Sequence, residues 1–164
     1  MLAVEGLSKE YGAGTKVIDD LSFSVRRGSS LTIIGPSGCG KSTLLYILAG
    51  LTRPSAGRVL IDDREVTAPS RQVGFILQDF GLLPWKAVKE NLGLGMRIRK
   101  VPPEEQDRRS EATLRYLGLE SHRDKYPARL SGGERQRLAI GRALVLEPSL
   151  LLMRMASLYF LVCW

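Results

Sequence analysis

A glycine-rich loop between a strand-like and a helix-like segment constrains this 164-residue chain more than any other feature. The segment GPSGCGKST matches the pattern G-x-x-x-x-G-K-[ST], with the apolar stretch LTII before it and leucines at helical spacing after it. Small residues in such a loop let backbone N–H groups converge on phosphates, while Lys41 supplies a positive charge and Ser42 a hydroxyl for Mg²⁺. This context predicts an α/β chain that binds a nucleotide through Gly35, Pro36, Ser37, Gly38, Cys39, Gly40, Lys41, Ser42 and Thr43.

The loop has plainer interpretations as well. The pattern also fits an ordinary glycine turn that carries a lysine, although the strand and the helix on either side favour phosphate binding. Cys39 fits either as a small residue that fills the loop or as a reactive thiol. Many kinds of nucleotide-binding protein share such a loop, so it predicts a ligand and leaves the function open.

Composition and charge exclude several other classes of protein. The net charge is +7, but the basic residues are scattered and no basic stripe is interleaved with aromatic residues, so we expect no nucleic-acid partner. Cys39 and Cys163 lie far apart and His122 is the single histidine, which leaves no disulfide or metal-ligand spacing. We expect neither a signal peptide nor a membrane-spanning helix, because Arg154 divides the longest apolar run.

The apolar patterns predict a sheet first and helices later. MLAVEGL, KVIDD and LSFSV, the last with apolar residues alternating with serines, predict the strands of an antiparallel sheet. RVLID and VGFILQ predict further strands. Between about Pro84 and Lys125, proline and acidic residues open a helix that Gly118 closes. We therefore expect this middle stretch to be a mostly helical insertion.

The segment YPARLSGGERQRLAIGRALVLEP carries two signals at once. Ser131 and Glu134 have the S-x-x-E spacing of a capping box, which predicts a helix that runs toward Leu146. The capping box leaves Gly132 and Gly133 unexplained, since alanine would favour the first turn of a helix more than glycine does. Paired glycines at the start of a helix indicate close approach by an anion.

With these segments the chain resembles the ATP-binding-cassette (ABC) transporter ATPase family over nearly all of residues 1–153. The phosphate loop, Gln78 and the signature Leu130-Ser131-Gly132-Gly133-Glu134 occur in the family's order and approximate spacing. The resemblance implies that Tyr11 stacks on adenine and that Gln78 contacts Mg²⁺ and the attacking water. It implies that the signature faces the γ-phosphate of a nucleotide held by a second subunit. Lys41 and Gln78 would then serve catalysis, while Ser42 and Gln78 would bind the metal.

Two of these residues also have ordinary interpretations without the family. Tyr11 fits equally as a half-buried aromatic residue in a turn, and Gln78 fits as a solvated residue at the end of a strand. The segment DFGLLPWKAVKEN, just after Gln78, resembles the region of the family that receives a helix of the membrane partner. Its apolar residues, including Trp85, also fit a loop anchored in its own core, although the neighbouring motifs favour docking.

The resemblance also implies a fold and a function. The fold would be that of a P-loop NTPase, an ABC-type ATPase core with an N-terminal antiparallel β part and a helical subdomain at about residues 84–145. The function would be that of an ATP hydrolase that uses ATP and Mg²⁺ to move a solute, at the cytoplasmic face of the cell membrane. Its partners would be transmembrane permease subunits and a second nucleotide-binding subunit in a head-to-tail dimer. The wording LLPW is closest to importers of nitrate, sulfonate or taurine-like anions.

Two other functions stay open beside the transporter. One is a soluble ABC ATPase that acts in DNA repair or translation, although the long insertions of such proteins are absent from these residues. The other is a non-enzymatic nucleotide-binding remnant.

The chain departs from the family pattern after Met153. In the family, the strand that corresponds to Leu150–Met153 ends in an aspartate that orders Mg²⁺ and a glutamate that polarises water, whereas Arg154 and Met155 stand here. A guanidinium repels a cation and a thioether cannot act as a general base, so we expect impaired hydrolysis. Residues 154–164 match nothing in the pattern, which predicts a domain without its C-terminal part, an apolar tail, unpaired central strands and poor solubility.

Overall fold

The computed structural model of the chain describes residues 1–12, 14–154 and 158–163. Within these ranges the strands are β1 (Leu2–Tyr11), β2 (Thr15–Val25), β3 (Ser30–Ile34), β4 (Ala56–Ile61), β5 (Arg64–Glu65), β6 (Val73–Ile76), β7 (Leu150–Arg154) and β8 (Leu158–Cys163). The α-helices are α1 (Lys41–Leu48), α2 (Val88–Ile98), α3 (Pro103–Leu117) and α4 (Gly132–Leu144). None of these helices combines the length and the apolar composition that crossing a membrane requires.

The described residues divide into two compact units. The first comprises Met1–Phe75 and the described residues from Pro148 onward, and the second comprises Ile76–Glu147. The first unit contains two sheets and α1, and the second contains α2, α3 and α4.

The first sheet has the strand order β2-β1-β4-β5, and its neighbouring strands are antiparallel. This confirms the antiparallel start that the alternating pattern predicts. The segments KVIDD and LSFSV, however, form one strand, β2. The pairing with β1 shifts near Asp20, whose φ is 47°, so that an irregularity absorbs the break and both halves stay paired.

The second sheet has the order β3-β8-β7-β6, and β8 runs antiparallel to both β3 and β7. Alternate residues of β8 face the core, where Tyr159, Leu161 and Cys163 are buried. The expectation of unpaired central strands is therefore wrong for β3 and β7, because the apolar tail supplies a strand that bonds on both sides. The strand expected at Leu150–Met153 extends one residue further, to Arg154.

Helix α1 packs into the core of the first unit. Leu45 and Leu48, which lie at the predicted helical spacing, are fully buried. They share one apolar cluster with Leu2 of β1, Leu152 of β7 and Leu161 of β8. Burial of this face fixes α1 against the sheets and so positions the loop that joins β3 to α1.

The second unit has an apolar core of its own. Its buried residues are Val88, Leu92, Leu114, Leu119, Leu130 and Leu138. Helix α3 begins at Pro103 and is closed by Gly118 with a φ of 63°, so the predicted helix-end signals are confirmed. Gly141 of α4 lies where a Cβ would overlap Leu117, which shows how closely the chain packs around α4.

Candidate functional site

The glycine-rich loop connects the end of β3 to the start of α1. Gly38 and Gly40 have φ angles of 85° and 91°, which L side chains rarely adopt. A Cβ on Gly40 would lie 2.7 Å from the carbonyl oxygen of Val17, and one on Gly35 would lie 2.8 Å from Cys39 Sγ. The loop thus holds a tight backbone that leads into the N–H groups and the positive dipole end of α1. This arrangement fits the phosphate groups of a ligand.

Lys41 opens α1 and is only 9% exposed. Its Nζ donates to the carbonyl oxygens of Gly35 at 2.8 Å and of Pro36 at 2.7 Å, and it lies 3.5 Å from Cys39 Sγ. The ring centre of Tyr159 lies 5.5 Å from the same ammonium group. The Lys41 ammonium, which the sequence predicts to bind phosphates, is therefore hydrogen-bonded to carbonyl groups of its own loop. Cys39 itself is exposed.

Ser42 contacts a residue that sequence reasoning missed. Its Oγ lies 2.8 Å from the hydroxyl oxygen of Tyr159, which stands 117 positions further along the chain and is 5% exposed. Tyr159 is paired across the sheet with Ile33 of β3 and with Arg154 of β7. LYFLVC is a continuous apolar run, which predicts that Tyr159 is buried on whichever face it lies, and a buried tyrosine hydroxyl needs a partner. That signal indicates an interaction but does not identify Ser42.

Arg154 ends β7 at the position where the resemblance places an aspartate. Its Nε is buried and has no hydrogen-bond partner among the described residues. A guanidinium offers donors only, so this side chain can neither ligate a cation nor accept a proton. Met155, which the sequence places at the glutamate position, lies outside the described residues.

Tyr11 is the last residue of β1 and is paired with Thr15 of β2. Its side chain is 45% exposed, and Lys9 Nζ lies 5.0 Å from the centre of its ring. An aromatic ring with this exposure is able to stack on a planar base. Its stacking on adenine stays a prediction.

Gln78 lies in the second unit, is exposed, and stands outside β6. The strand ends at Ile76 and not at residue 78, because the chain turns through Phe80, whose φ is 63°. Arg142 of α4 fixes this turn by donating to the carbonyl oxygens of Gly81 at 2.7 Å and of Phe80 at 2.8 Å. Burial lowers the pKa of the Arg142 guanidinium from its ordinary value. Sequence reasoning missed this link, because its acceptors are backbone groups that carry no sequence signal.

The signature segment forms the N-terminus of α4 in the second unit. Ser131 Oγ accepts the N–H of Glu134 at 3.3 Å, and Glu134 Oε2 accepts the N–H of Ser131 at 2.6 Å, so the predicted capping box is confirmed. A Cβ on Gly132 would meet no described heavy atom within 4 Å, and one on Gly133 would lie 3.8 Å from Arg137 Nη1. The packing of the described residues therefore requires neither glycine.

Glu134 has a second partner that sequence reasoning did not identify. Its Oε1 lies 3.2 Å from Nε2 of His122, whose side chain is only 20% exposed, and Ser121 Oγ lies 2.9 Å from Nδ1 of the same ring. Hydrogen bonds from Ser131, above all from its backbone N–H, lower the pKa of the Glu134 carboxyl from its ordinary value. The carboxylate is thus held in its charged form beside the first turn of α4.

Trp85 is presented by the loop before α2 and is 68% exposed. Asn91 holds this loop from the core, where it is fully buried. Its Oδ1 accepts the N–H of Leu83 at 2.9 Å, and its Nδ2 donates to the carbonyl oxygens of Lys86 at 2.8 Å, Leu83 at 3.1 Å and Ala87 at 3.2 Å. The loop is therefore anchored in its own core, with Leu82 packed against the apolar cluster, but Trp85 takes no part in that anchor. The loop is fixed from inside while its aromatic side chain faces outward.

Comparison with known proteins gives consistent matches. Residues 18–153 match the model of a family described as ABC transporter. The taurine import ATP-binding protein TauB of Pseudomonas aeruginosa is 43% identical over 155 residues, which are 93% of this chain and 59% of that protein. The chain thus spans 59% of the length of this curated relative.

Two solved structures share the fold. The structure of cbiO1 from Clostridium perfringens, part of the ABC transporter complex cbiONQ, matches with a TM-score of 0.82 and 30% identity, over 93% of this chain and 64% of that one. A dimeric ATP-binding cassette in a post-hydrolysis state, bound to ADP and Pi, matches with a TM-score of 0.80 and 31% identity, over 93% of this chain and 73% of that one. These matches confirm the expected ATPase fold.

Proposed function

Since the chain belongs to the ABC transporter family, we propose that it is the ATP-binding part of an importer ATPase and acts on a membrane partner through ATP binding. The observation that carries the proposal is the loop before α1, where Gly40 combines a φ of 91° with no space for a Cβ. Lys41 and Ser42 follow it directly at the helix start. The 43% identity with a taurine import protein supports a sulfonate-like anion as the solute.

ATP with Mg²⁺ fits the donors and acceptors that this loop provides. The backbone N–H groups at the start of α1 and Lys41 Nζ would hold the phosphates, and Ser42 Oγ would bind the cation. The bound cation supplies neutralisation of the charge on the phosphates. Tyr11 would stack on the base, and Gln78 would orient water near the phosphates.

We expect this chain to bind ATP and to hydrolyse it slowly or not at all. Arg154 has no lone pair to ligate a cation or to accept a proton from water. Gln78 has a carboxamide, which can orient a water molecule but is too weak a base to take its proton. Binding and turnover therefore separate in this chain, because the loop that holds phosphates is present and the acids expected after Met153 are not.

The signature supports a second nucleotide-binding subunit as a partner. Gly132 and Gly133 have room for a Cβ, so packing does not explain the glycines. Approach by the γ-phosphate of a nucleotide held on a second subunit, head to tail, does explain them, because glycine lets the ligand reach the backbone N–H groups.

The Trp85 loop supports a membrane-embedded permease as the other partner. An exposed tryptophan on a loop held by four hydrogen bonds to one buried asparagine is a rigid apolar contact point. A permease helix that packs on Trp85 would keep the chain at the cytoplasmic face of the cell membrane as a peripheral subunit.

Nucleotide binding by two lysine variants tests the central proposal. Lys41→Ala should weaken the affinity for a fluorescent ATP analogue with Mg²⁺ by about 10- to 100-fold, since a charge-assisted hydrogen bond contributes about 1.5–3 kcal/mol. Lys125→Ala is the matched control, because Lys125 is exposed and lies in the second unit, and its affinity should equal that of the wild type. Equal affinities for all three proteins would contradict the proposal.

A phosphate-release assay on the same proteins tests the separation of binding from turnover. The wild type and Lys41→Ala should release phosphate at the same background rate. A clear rate that Lys41→Ala abolishes would refute impaired hydrolysis while leaving ATP binding intact.

A further inference from the structure

Strand β8 brings one tyrosine to the start of α1. Tyr159 is paired with Ile33 of β3, close to the point where β3 gives way to the phosphate loop. Its side chain belongs to the same buried cluster as Leu44 and Leu45 of α1. The ring is therefore held by the core, and its hydroxyl reaches Ser42 Oγ at 2.8 Å.

The hydroxyl contact engages the atom that a cation would need. Ser42 Oγ has one hydrogen and two lone pairs, and either hydroxyl can be the donor of the pair. Where Tyr159 donates, its hydrogen takes one lone pair of Ser42 Oγ, and a cation bound to the other lone pair repels that hydrogen. Tyr159 is 5% exposed, so its hydroxyl has little water to turn to when it leaves Ser42. Breaking this pair leaves a buried hydroxyl without its partner, which opposes cation binding at Ser42.

The ring of the same tyrosine acts on Lys41. The ammonium lies 5.5 Å from the ring centre, within the range of a cation–π interaction, and donates to the carbonyl oxygens of Gly35 and Pro36. These contacts hold Lys41 Nζ inside the loop. A phosphate must compete with two carbonyl acceptors and one aromatic ring for the same charge.

We propose that Tyr159 is an intrachain brake on the phosphate loop, and this inference rests on the proposed function. Its hydroxyl and its ring occupy the Ser42 hydroxyl and the Lys41 ammonium together, so that a magnesium nucleotide binds only after these contacts are exchanged. Tyr159 acts through Ser42 and Lys41 as a positioning residue. The hydroxyl part of the brake is specific for the magnesium form of the nucleotide, because that pair involves the residue that takes the cation.

Removal of the tyrosine hydroxyl tests the brake in the full chain. Tyr159→Phe keeps the ring in the core and should lower the Kd for the fluorescent ATP analogue with Mg²⁺ by about two- to tenfold, the size of one net hydrogen bond. When EDTA replaces Mg²⁺, the same substitution should change the Kd by a factor less than about half as large. Tyr116→Phe is the matched control, because Tyr116 is 81% exposed on α3, and its Kd should not change.

A second background separates the brake from a general effect on folding. In Ser42→Ala the partner hydroxyl is gone, so adding Tyr159→Phe should leave the Kd for the magnesium nucleotide unchanged. If Tyr159→Phe lowers the Kd equally in the wild type and in Ser42→Ala, the proposal is overturned, because a purely structural effect of Tyr159 would not depend on Ser42.

The outcomes also distinguish the brake from the proposed function. A lower Kd for Tyr159→Phe than for the wild type supports the brake, and so does measurable binding by Tyr159→Phe when the wild type binds too weakly to measure. Binding by the wild type with no gain for Tyr159→Phe overturns the brake and leaves the proposed function standing. No binding by either protein overturns both.

Discussion

Replacing Gly133 with alanine should stabilise the fold and weaken the proposed ATP-dependent dimer. Gly133 lies in the first turn of α4, where an added Cβ would lie 3.8 Å from Arg137 Nη1, an ordinary van der Waals distance. Alanine is favoured over glycine in a helix by about 0.5–1 kcal/mol, so the free energy of unfolding should rise by about that amount. In the dimer the same methyl group would stand between the helix N–H groups and the approaching phosphate.

The same substitution further along α4 should have the opposite effect on stability. A Cβ on Gly141 would overlap Leu117 Cδ1 and would lie 3.0 Å from Thr113 Cγ2 and 3.1 Å from Leu92 Cδ2, so moving Leu117 alone does not relieve the crowding. Overpacking costs about 1–3 kcal/mol, and the helix propensity of alanine returns about 1 kcal/mol of this. Gly141→Ala should therefore lower the free energy of unfolding by up to about 2 kcal/mol.

Thermal unfolding measures the change in stability of both variants, and sedimentation with ATP and Mg²⁺ measures dimer formation. For a chain of this size each kcal/mol shifts Tm by about 2–4 °C, so Gly133→Ala should melt above the wild type and Gly141→Ala below it. A lower Tm for Gly133→Ala would refute the packing argument for the first turn of α4. A higher Tm with dimer formation equal to that of the wild type would refute the approach of a phosphate to this glycine.

Two further variants test the electrostatics. Arg154→Met should raise the free energy of unfolding by about 1–3 kcal/mol, measured by urea denaturation, because it removes a buried Nε that has no partner among the described residues. Glu134→Gln should lower Tm at neutral pH and should match the wild type in acid. Hydrogen bonds from Ser131 lower the folded-state pKa of Glu134, so its contribution is present above the ordinary value of 4.5 and is lost as pH falls through the folded-state pKa. A difference in Tm that does not change with pH would contradict this assignment.

The parts of the site that depend on local structure could be predicted from the sequence. The phosphate loop, the capping box of Ser131 and Glu134, and the cap of α3 at Gly118 each involve residues a few positions apart. Their geometry follows from backbone preferences and from hydrogen bonds within one turn, which the order of residues reveals directly.

The parts that depend on long-range pairing could not be predicted in the same way. LYFLVC is a short continuous apolar run, which is consistent with a buried strand, but nothing in the run says that β8 lies between β3 and β7. Arg142 and Asn91 donate hydrogen bonds to backbone carbonyl groups. Every residue has such a group, so the sequence does not identify the acceptors. The expectation of unpaired strands is wrong for this reason, because an apolar run does not identify the strands with which it pairs.

The capping box and the proposed anion site at α4 do not compete for the same groups. The box uses the N–H of Ser131 and the N–H of Glu134. The N–H groups of Gly132 and Gly133 belong to the first turn and have no acceptor within the helix. The Ser131 hydroxyl accepts from the Glu134 N–H and also bonds to the Glu134 carboxylate, so the box engages both polar groups of this side chain. Capping therefore fixes the backbone from which two N–H groups can reach a phosphate, and the two open glycines keep that approach free of side chains.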